Sequence, residues 1–271
     1  MNIKTILTGL CLAATLSMST SCDFSPENMN IMARKGAGKD YFRDSEKWGK
    51  VITQTIESDD FTHIALSGNA DIHIHQGIFS TLEIQGNERA IAGNNIQVKD
   101  GTLTVAKKDS ISGTLPSIKL IVTVPTLESI HVSGAGDIEM KDTLVFDNNL
   151  TLNISGAGDI DIDRLKCKNF ALNISGAGDV KAQKIKCKTA TLQISGAGDV
   201  KADLKGDNID VAISGAGDAD LDVKCDQLTV AASGTGEVEL SGECRHMTKR
   251  VSGMSGIDSK ELTIHEGISL Q

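Results

Sequence analysis

Between residues 155 and 194 apolar side chains return at every second position in short runs. Val180 and Ala182 flank Lys181, Ile185 and Cys187 flank Lys186, and Ala190, Leu192 and Ile194 alternate with Thr191 and Gln193. One repeat earlier the same places hold Ile160 and Ile162, Leu165 and Cys167, then Phe170, Leu172 and Ile174. Alternation with period 2 predicts three short strands per repeat, each with one face turned inward. No run keeps the 3.6-residue spacing of a helix.

A single pentapeptide punctuates these runs. Ser-Gly-Ala-Gly-Asp stands at Ser133–Asp137, Ser155–Asp159, Ser175–Asp179, Ser195–Asp199 and Ser214–Asp218. It decays to Ser233-Gly-Thr-Gly-Glu237 and Ser252-Gly-Met-Ser-Gly-Ile-Asp258, and the serines step by 22, 20, 20, 19, 19 and 19 residues. A fixed period near 20 marks a solenoid, whose coils bury apolar faces only by stacking. Twenty residues of strand trace a closed path of roughly 66 Å, enough for a narrow coil. A leucine-rich repeat needs a different leucine frame and a propeller blade about twice the period. The fold class predicted is all-β, a parallel β-helix (β-solenoid) of about 20-residue coils over residues 126–258. The pentapeptide reads as its corner. The glycines supply positive φ, the alanine keeps coils close, aspartate closes an Asx turn and serine satisfies a corner carbonyl.

The flanks read differently. Residues 51–125 are β-rich but less regular, with Asp100-Gly101 between Ile96-Gln-Val98 and Leu103-Thr-Val105 as a hairpin signal. Antiparallel pairing there is expected to close one end of the solenoid. At the other end Lys249, Arg250, Lys260 and Glu261 break the apolar frame, and residues 259–271 read as a C-terminal cap. Residues 1–21, with Lys4 before the apolar stretch Ile6–Leu16, read as a lipoprotein signal peptide. Ser19-Thr-Ser-Cys22 resembles a relaxed lipobox, which makes Cys22 the acylated N-terminus; cleavage elsewhere would instead release a soluble secreted protein. Residues 22–50 read as a tether, with Tyr41, Phe42 and Trp48 either packing on the first coil or forming a contact patch.

The repeated pentapeptide, behind Ile64-Ala-Leu-Ser-Gly-Asn-Ala-Asp71, Ile118-Lys-Leu-Ile-Val-Thr-Val-Pro125 and Leu127-Glu-Ser-Ile-His-Val132, resembles the head-GIN-domain family of putative auto-transporter adhesins. The similarity covers roughly residues 51–258. It implies a β-helical protein of the bacterial cell envelope with an adhesive role, and it brings no catalytic residues.

The net charge of −9 disfavours nucleic acid and anionic lipid, and no basic stripe with interleaved aromatics is present. Asp71, His73 and His75 share one strand face, but their outer members lie ~13 Å apart, awkward for a shared metal. Serine and aspartate recur on every coil, whereas catalysis needs one unique site. Gly-x-Ser-x-Gly and Gly-x-x-x-x-Gly-Lys are absent. Asp137, Asp159, Asp179, Asp199 and Asp218, continued by Glu237 and Asp258, are expected to line up ~4.8 Å apart, a ladder that calcium could bridge. No other cofactor is expected. Cys167, Cys187, Cys225 and Cys244 fall in inward frames and read as a ladder of reduced thiols. If any bridges form, they are Cys167–Cys187 and Cys225–Cys244, since Cys187 and Cys225 lie two coils apart.

The expected function is binding. An outer-membrane-anchored lipoprotein, held in the membrane through acylated Cys22, would display a rigid flank to an extracellular polymer, glycan or host protein. The alternative is a β-helical polysaccharide lyase or hydrolase, which would show a deep cleft with clustered, non-repeating carboxylates.

Overall fold

The computed structural model describes residues 48–56 and 58–270. Cys22, the signal peptide, Tyr41, Phe42 and most of the expected tether lie outside the described residues. The protein is all-β, with 64% of the described residues in strands and 3% in helix, and the pentapeptide region winds through about seven turns.

Each coil leaves its corner on one strand and returns on another. Outgoing strands are β9 (Ile138–Val145), β11 (Ile160–Lys166), β13 (Val180–Lys186) and β15 (Val200–Lys205). The return strands are β8 (Ser129–Val132), β10 (Leu150–Ile154), β12 (Asn169–Ile174), β14 (Thr189–Ile194) and β16 (Asn208–Ile213). In β17 (Ala219–Ala232), β18 (Glu237–Val251) and β19 (Gly256–Leu270) one long strand covers both sides. All of these pair in parallel with the equivalent strand of the next coil, Ile160 on Val180 and Leu172 on Leu192, for example. In-register stacking keeps every apolar column continuous. Phe170, the bulkiest member of its column, sits between Leu150 and the small Ala190.

Two features depart from the three-strand expectation. The first two apolar runs of each coil form one strand, bent where inward alternation skips a residue at Asp163–Arg164 and at Gln183–Lys184. Inter-coil pairing continues on both sides of the bend, so the chain turns without ending the ladder.

The second departure is in the order of coils. Strands β2 (His63–Leu66) and β3 (Ala70–Gln76) make a coil directly beneath β8 and β9. The chain then runs outward through β4 (Thr81–Asn87), helix α1 (Glu88–Gly93) and β5 (Asn94–Lys99). It re-enters as β6 (Thr102–Lys107) and β7 (Ile118–Val124), which pair in parallel with β2 and β3 on their other side. The coil met first in sequence is therefore second in space, clasped between its two successors. The core runs unbroken across residues 125 and 126.

Antiparallel pairing closes this end, as expected. The strand β1 (Val51–Ile56) pairs with β4, β4 with β7, and β5 with β6. Asp100 and Gly101 turn the β5–β6 hairpin with φ of 50° and 72°, the left-handed pair that a two-residue turn requires. Half-buried Trp48 precedes Gly49 and Lys50, whose carbonyls accept from Asn87 Nδ2 and the Glu88 N–H at the start of α1. At the far end lie residues 259–270. They continue β19, whose strand is paired to β18 and otherwise faces solvent with Lys260, Glu261 and Glu266 outward.

Candidate functional site

The repeated corner is built from contacts between coils. Serine, alanine and aspartate face solvent, while the second glycine is buried. The Ser133 hydroxyl donates to the Leu66 carbonyl of the neighbouring coil at 3.3 Å, and its N–H donates to the same oxygen at 2.8 Å. Ser155, Ser175, Ser195 and Ser233 repeat the arrangement toward Val132, Ile154, Ile174 and Ile213. No base accepts these hydroxyl protons, so none is an activated nucleophile.

The aspartates also reach across coils. Asp137 Oδ1 accepts the N–H of Asp159 at 3.0 Å, Asp159 that of Asp179 at 2.9 Å and Asp179 that of Asp199 at 2.9 Å. Asp199 accepts from Asp218 at 2.8 Å, and Asp218 from Glu237 at 2.7 Å. This replaces the local Asx turn expected from sequence.

The glycines serve proximity rather than positive φ. Positive φ occurs at Gly49, Gly101, Gly113, Gly242 and Gly253, so within these motifs only the degraded last copy has it. A Cβ on Gly156 would lie 1.9 Å from the Gly134 oxygen, and one on Gly158 would lie 2.0 Å from that of Gly136. Backbone packed so closely leaves no room for a side chain.

The column extends one place earlier than the sequence suggested and ends one place sooner. Ser67-Gly-Asn-Ala-Asp71 is a further copy, with Gly134 and Gly136 packed on Gly68 and Ala70. Asp71 accepts from the Asp137 N–H at 3.5 Å and the Ser117 hydroxyl at 3.1 Å. Asp258 is not in the row. It pairs with Glu239, and Gly256 occupies the place above Glu237.

Along this edge lies an open trough of about 570 Å3, floored by Ile138, Ile160, Val180 and Val200. The aspartate row forms one bank and Glu139, Asp161, Lys181, Lys201 and Asp220 the other. Lys201 is ion-paired with Asp220 and Lys141 with Asp161, contacts that hold both ammonium groups above the ordinary lysine pKa.

The Asp71, His73 and His75 face resolves into separate contacts. His73 Nδ1 lies 3.1 Å from Glu139, and His75 Nδ1 lies 2.6 Å from Asp142. Among the described residues, no three His, Cys, Asp or Glu side chains gather closely enough to hold a metal ion. Each carboxylate from Asp137 to Asp218 has one oxygen bonded to a neighbouring N–H.

All four described cysteines are free thiols. Cys225 is in register with Cys244, and Cys167 stacks on Cys187. Gly206 occupies the intervening coil between Cys187 and Cys225. Burial pushes the thiols of Cys167 and Cys225 up to about 12 and that of Cys187 to about 11.

Comparison with known proteins agrees with this architecture. A family model described as "Putative auto-transporter adhesin, head GIN domain" matches residues 60–204 and 199–268. No curated protein matches the chain. A crystal structure described as a putative adhesin from Bacteroides fragilis is 26% identical, with a TM-score of 0.72 over 77% of this chain and 96% of that one. Another putative adhesin, from Parabacteroides distasonis, is 21% identical with a TM-score of 0.62 over 77% and 96%. A putative lipid binding protein from the same species is 17% identical and shares the fold, with a TM-score of 0.58 over 82% and 97%. Among the described residues no helix is long and apolar enough to cross a membrane. By its repeated corner, its stacked coils and the sequence match over most of its length, the chain belongs to the head GIN domain family of putative auto-transporter adhesins.

Proposed function

We propose that this protein is a lipid-anchored adhesin of the bacterial envelope, which holds a stiff, periodic flank against an extracellular polymer, glycan or host ligand. The observation that carries this reading is the ladder of Ser and Asp hydrogen bonds, which ties exposed corners to one another along the stack. Polar groups held in one geometry before contact lose little entropy on binding, and their repetition provides avidity. Family membership and the Bacteroides fragilis relative support the adhesive role. The lipid binding description of the Parabacteroides distasonis neighbour belongs to that protein.

Acylation at Cys22 provides the anchor, because several acyl chains on one residue add ~0.8 kcal/mol per buried CH2. Two measurements test the proposal. Full-length chain expressed in a Gram-negative host with a clickable fatty acid should take up label, and Cys22→Ser should abolish it. Cells carrying the chain should adhere to at least one class on a glycan and matrix array; adhesion no greater than that of empty cells on every spot overturns the binding reading.

A further inference from the structure

We propose that a lysine face at the second turn of the coils is a binding site for a linear anionic polysaccharide. The face lies at the opposite end of β11, β13 and β15 from the Ser-Gly-Ala-Gly-Asp corner. Lys166 is in register with Lys186, Lys186 with Lys205, and Lys205 with Lys224. Lys168 and Lys188 form a second row beside them, joined by a backbone hydrogen bond between their coils. Arg164 and Lys184 flank the first row on its other side, and all eight side chains are exposed. Of the seven Lys or Arg from residue 164 to 188, six lie on this face; Lys181 and Asp179, the one acid of the stretch, lie at the far corner.

This arrangement differs from the other outward rows. Elsewhere a lysine stacks beside a carboxylate, as in Lys141 with Asp161 and Lys201 with Asp220, and the lysine row itself ends at Lys224, which pairs with Glu243. On the lysine face Arg164 bonds Thr143 and Lys184 faces Asp203. Among the described residues, no hydrogen bond or ion pair engages the ammonium groups of Lys166, Lys168, Lys186, Lys188 or Lys205. Like charges stacked on neighbouring strands repel, so a chain of net charge −9 carries this row at a cost that an anionic partner would offset.

The shape points to a polymer laid along the stack. Charges repeat in a line at ~4.8 Å, close to the length of one sugar unit, so successive anionic sugars can each meet a lysine. Beside the row lies a recess of about 370 Å3 lined by Cys187, Gly206, Cys225 and Cys244. Lys186, Lys205 and Lys224 stand on its rim; of the rim acids, Asp226 is engaged by Arg245, Glu243 by Lys224 and His265, and Asp207 remains. Val145, in register with Lys166, is the apolar residue exposed at the foot of the row, so an anionic membrane is the competing partner that the test below separates.

This inference rests on the adhesive reading and narrows its ligand. The test uses full-length chain purified in detergent and immobilised on a biosensor. The probes are polygalacturonate for carboxylates, dextran sulfate for sulfates, neutral dextran, and nanodiscs of phosphatidylglycerol or phosphatidylcholine. Binding to at least one polyanion and not to neutral dextran is expected, and the two polyanions show which anion is preferred. Lys186→Gln with Lys205→Gln should weaken binding at least tenfold. Lys201→Gln with Lys260→Gln, an equal charge change elsewhere, should weaken it less than twofold, with thermal melts confirming that both variants fold. Equal loss in the two variants, unchanged binding in the first, or binding to phosphatidylglycerol discs alone overturns the proposal. Adhesion on the array that survives the first variant would refute the lysine face while leaving the adhesin reading intact.

Discussion

At the scale of the residue, the pentapeptide is written by contacts with its copy one coil away. A Cβ at position 178 would stand 2.1 Å from the Gly158 oxygen, which is backbone and cannot swing aside. Gly178→Ala should therefore destabilise the protein by about 3 kcal/mol, the upper part of the overpacking range. Ala177→Ser, one residue away on the exposed side, should stay within about 0.5 kcal/mol. Urea melts that ranked the two equally would refute the close-approach account. The aspartate makes a different demand. Asp179 accepts the Asp199 N–H and also stands between two like charges. Asparagine keeps the acceptor without the charge, whereas alanine loses both. Asp179→Asn should thus be more stable than Asp179→Ala by about 1 kcal/mol, the net worth of the bond; equal stability of the two would mean that the bond contributes nothing.

At the scale of the element, the coil was legible because its corner recurs every 19 to 22 residues and its inward positions alternate. Chain order hid the rest. Nothing in Ser67-Gly-Asn-Ala-Asp71 announces that its upper neighbour begins at Ser133, since residues 77–128 intervene and lie partly below it. Asp258 was misplaced for a similar reason. Backbone bonds keep the 19-residue step and put Gly256 where an acid was expected. The lysine rows were diluted in an acidic chain, although Lys166-Cys-Lys168 and Lys186-Cys-Lys188 repeat at the coil period. Deleting residues 175–194 removes one coil in register and should leave a folded protein, while deleting ten residues should unfold it. Equal tolerance in thermal melts would contradict the coil assignment. The thiols give a second prediction at this scale. Burial raises their pKa, so the fold keeps protons that the unfolded chain releases above about pH 8.5. Their contribution to stability is constant below that pH and declines as pH rises toward 11 to 12. In urea melts Cys187→Ala should shallow the alkaline decline between about pH 9 and 11. An unchanged slope would show that Cys187 ionises alike in both states.

At the scale of the whole molecule, one apolar core joins the clasped N-terminal coils to the last strand, and the exposed corners are bonded along its length. A polar edge is normally the first part of a protein to open, because water competes for its hydrogen bonds. Here the amide of each corner acid from Asp159 to Glu237 donates to a carboxylate on the preceding coil, and the serine and alanine amides to its carbonyls, so the surface offered for binding should be as rigid as the strands behind it. Native-state hydrogen exchange of the full-length chain, resolved to single amides, tests this most directly. The account predicts that the amides of Asp159, Asp179, Asp199 and Asp218 exchange as slowly as those of Leu172 and Leu192 inside the stack. Exchange at the rate of an open loop, with the strand amides still protected, would contradict it.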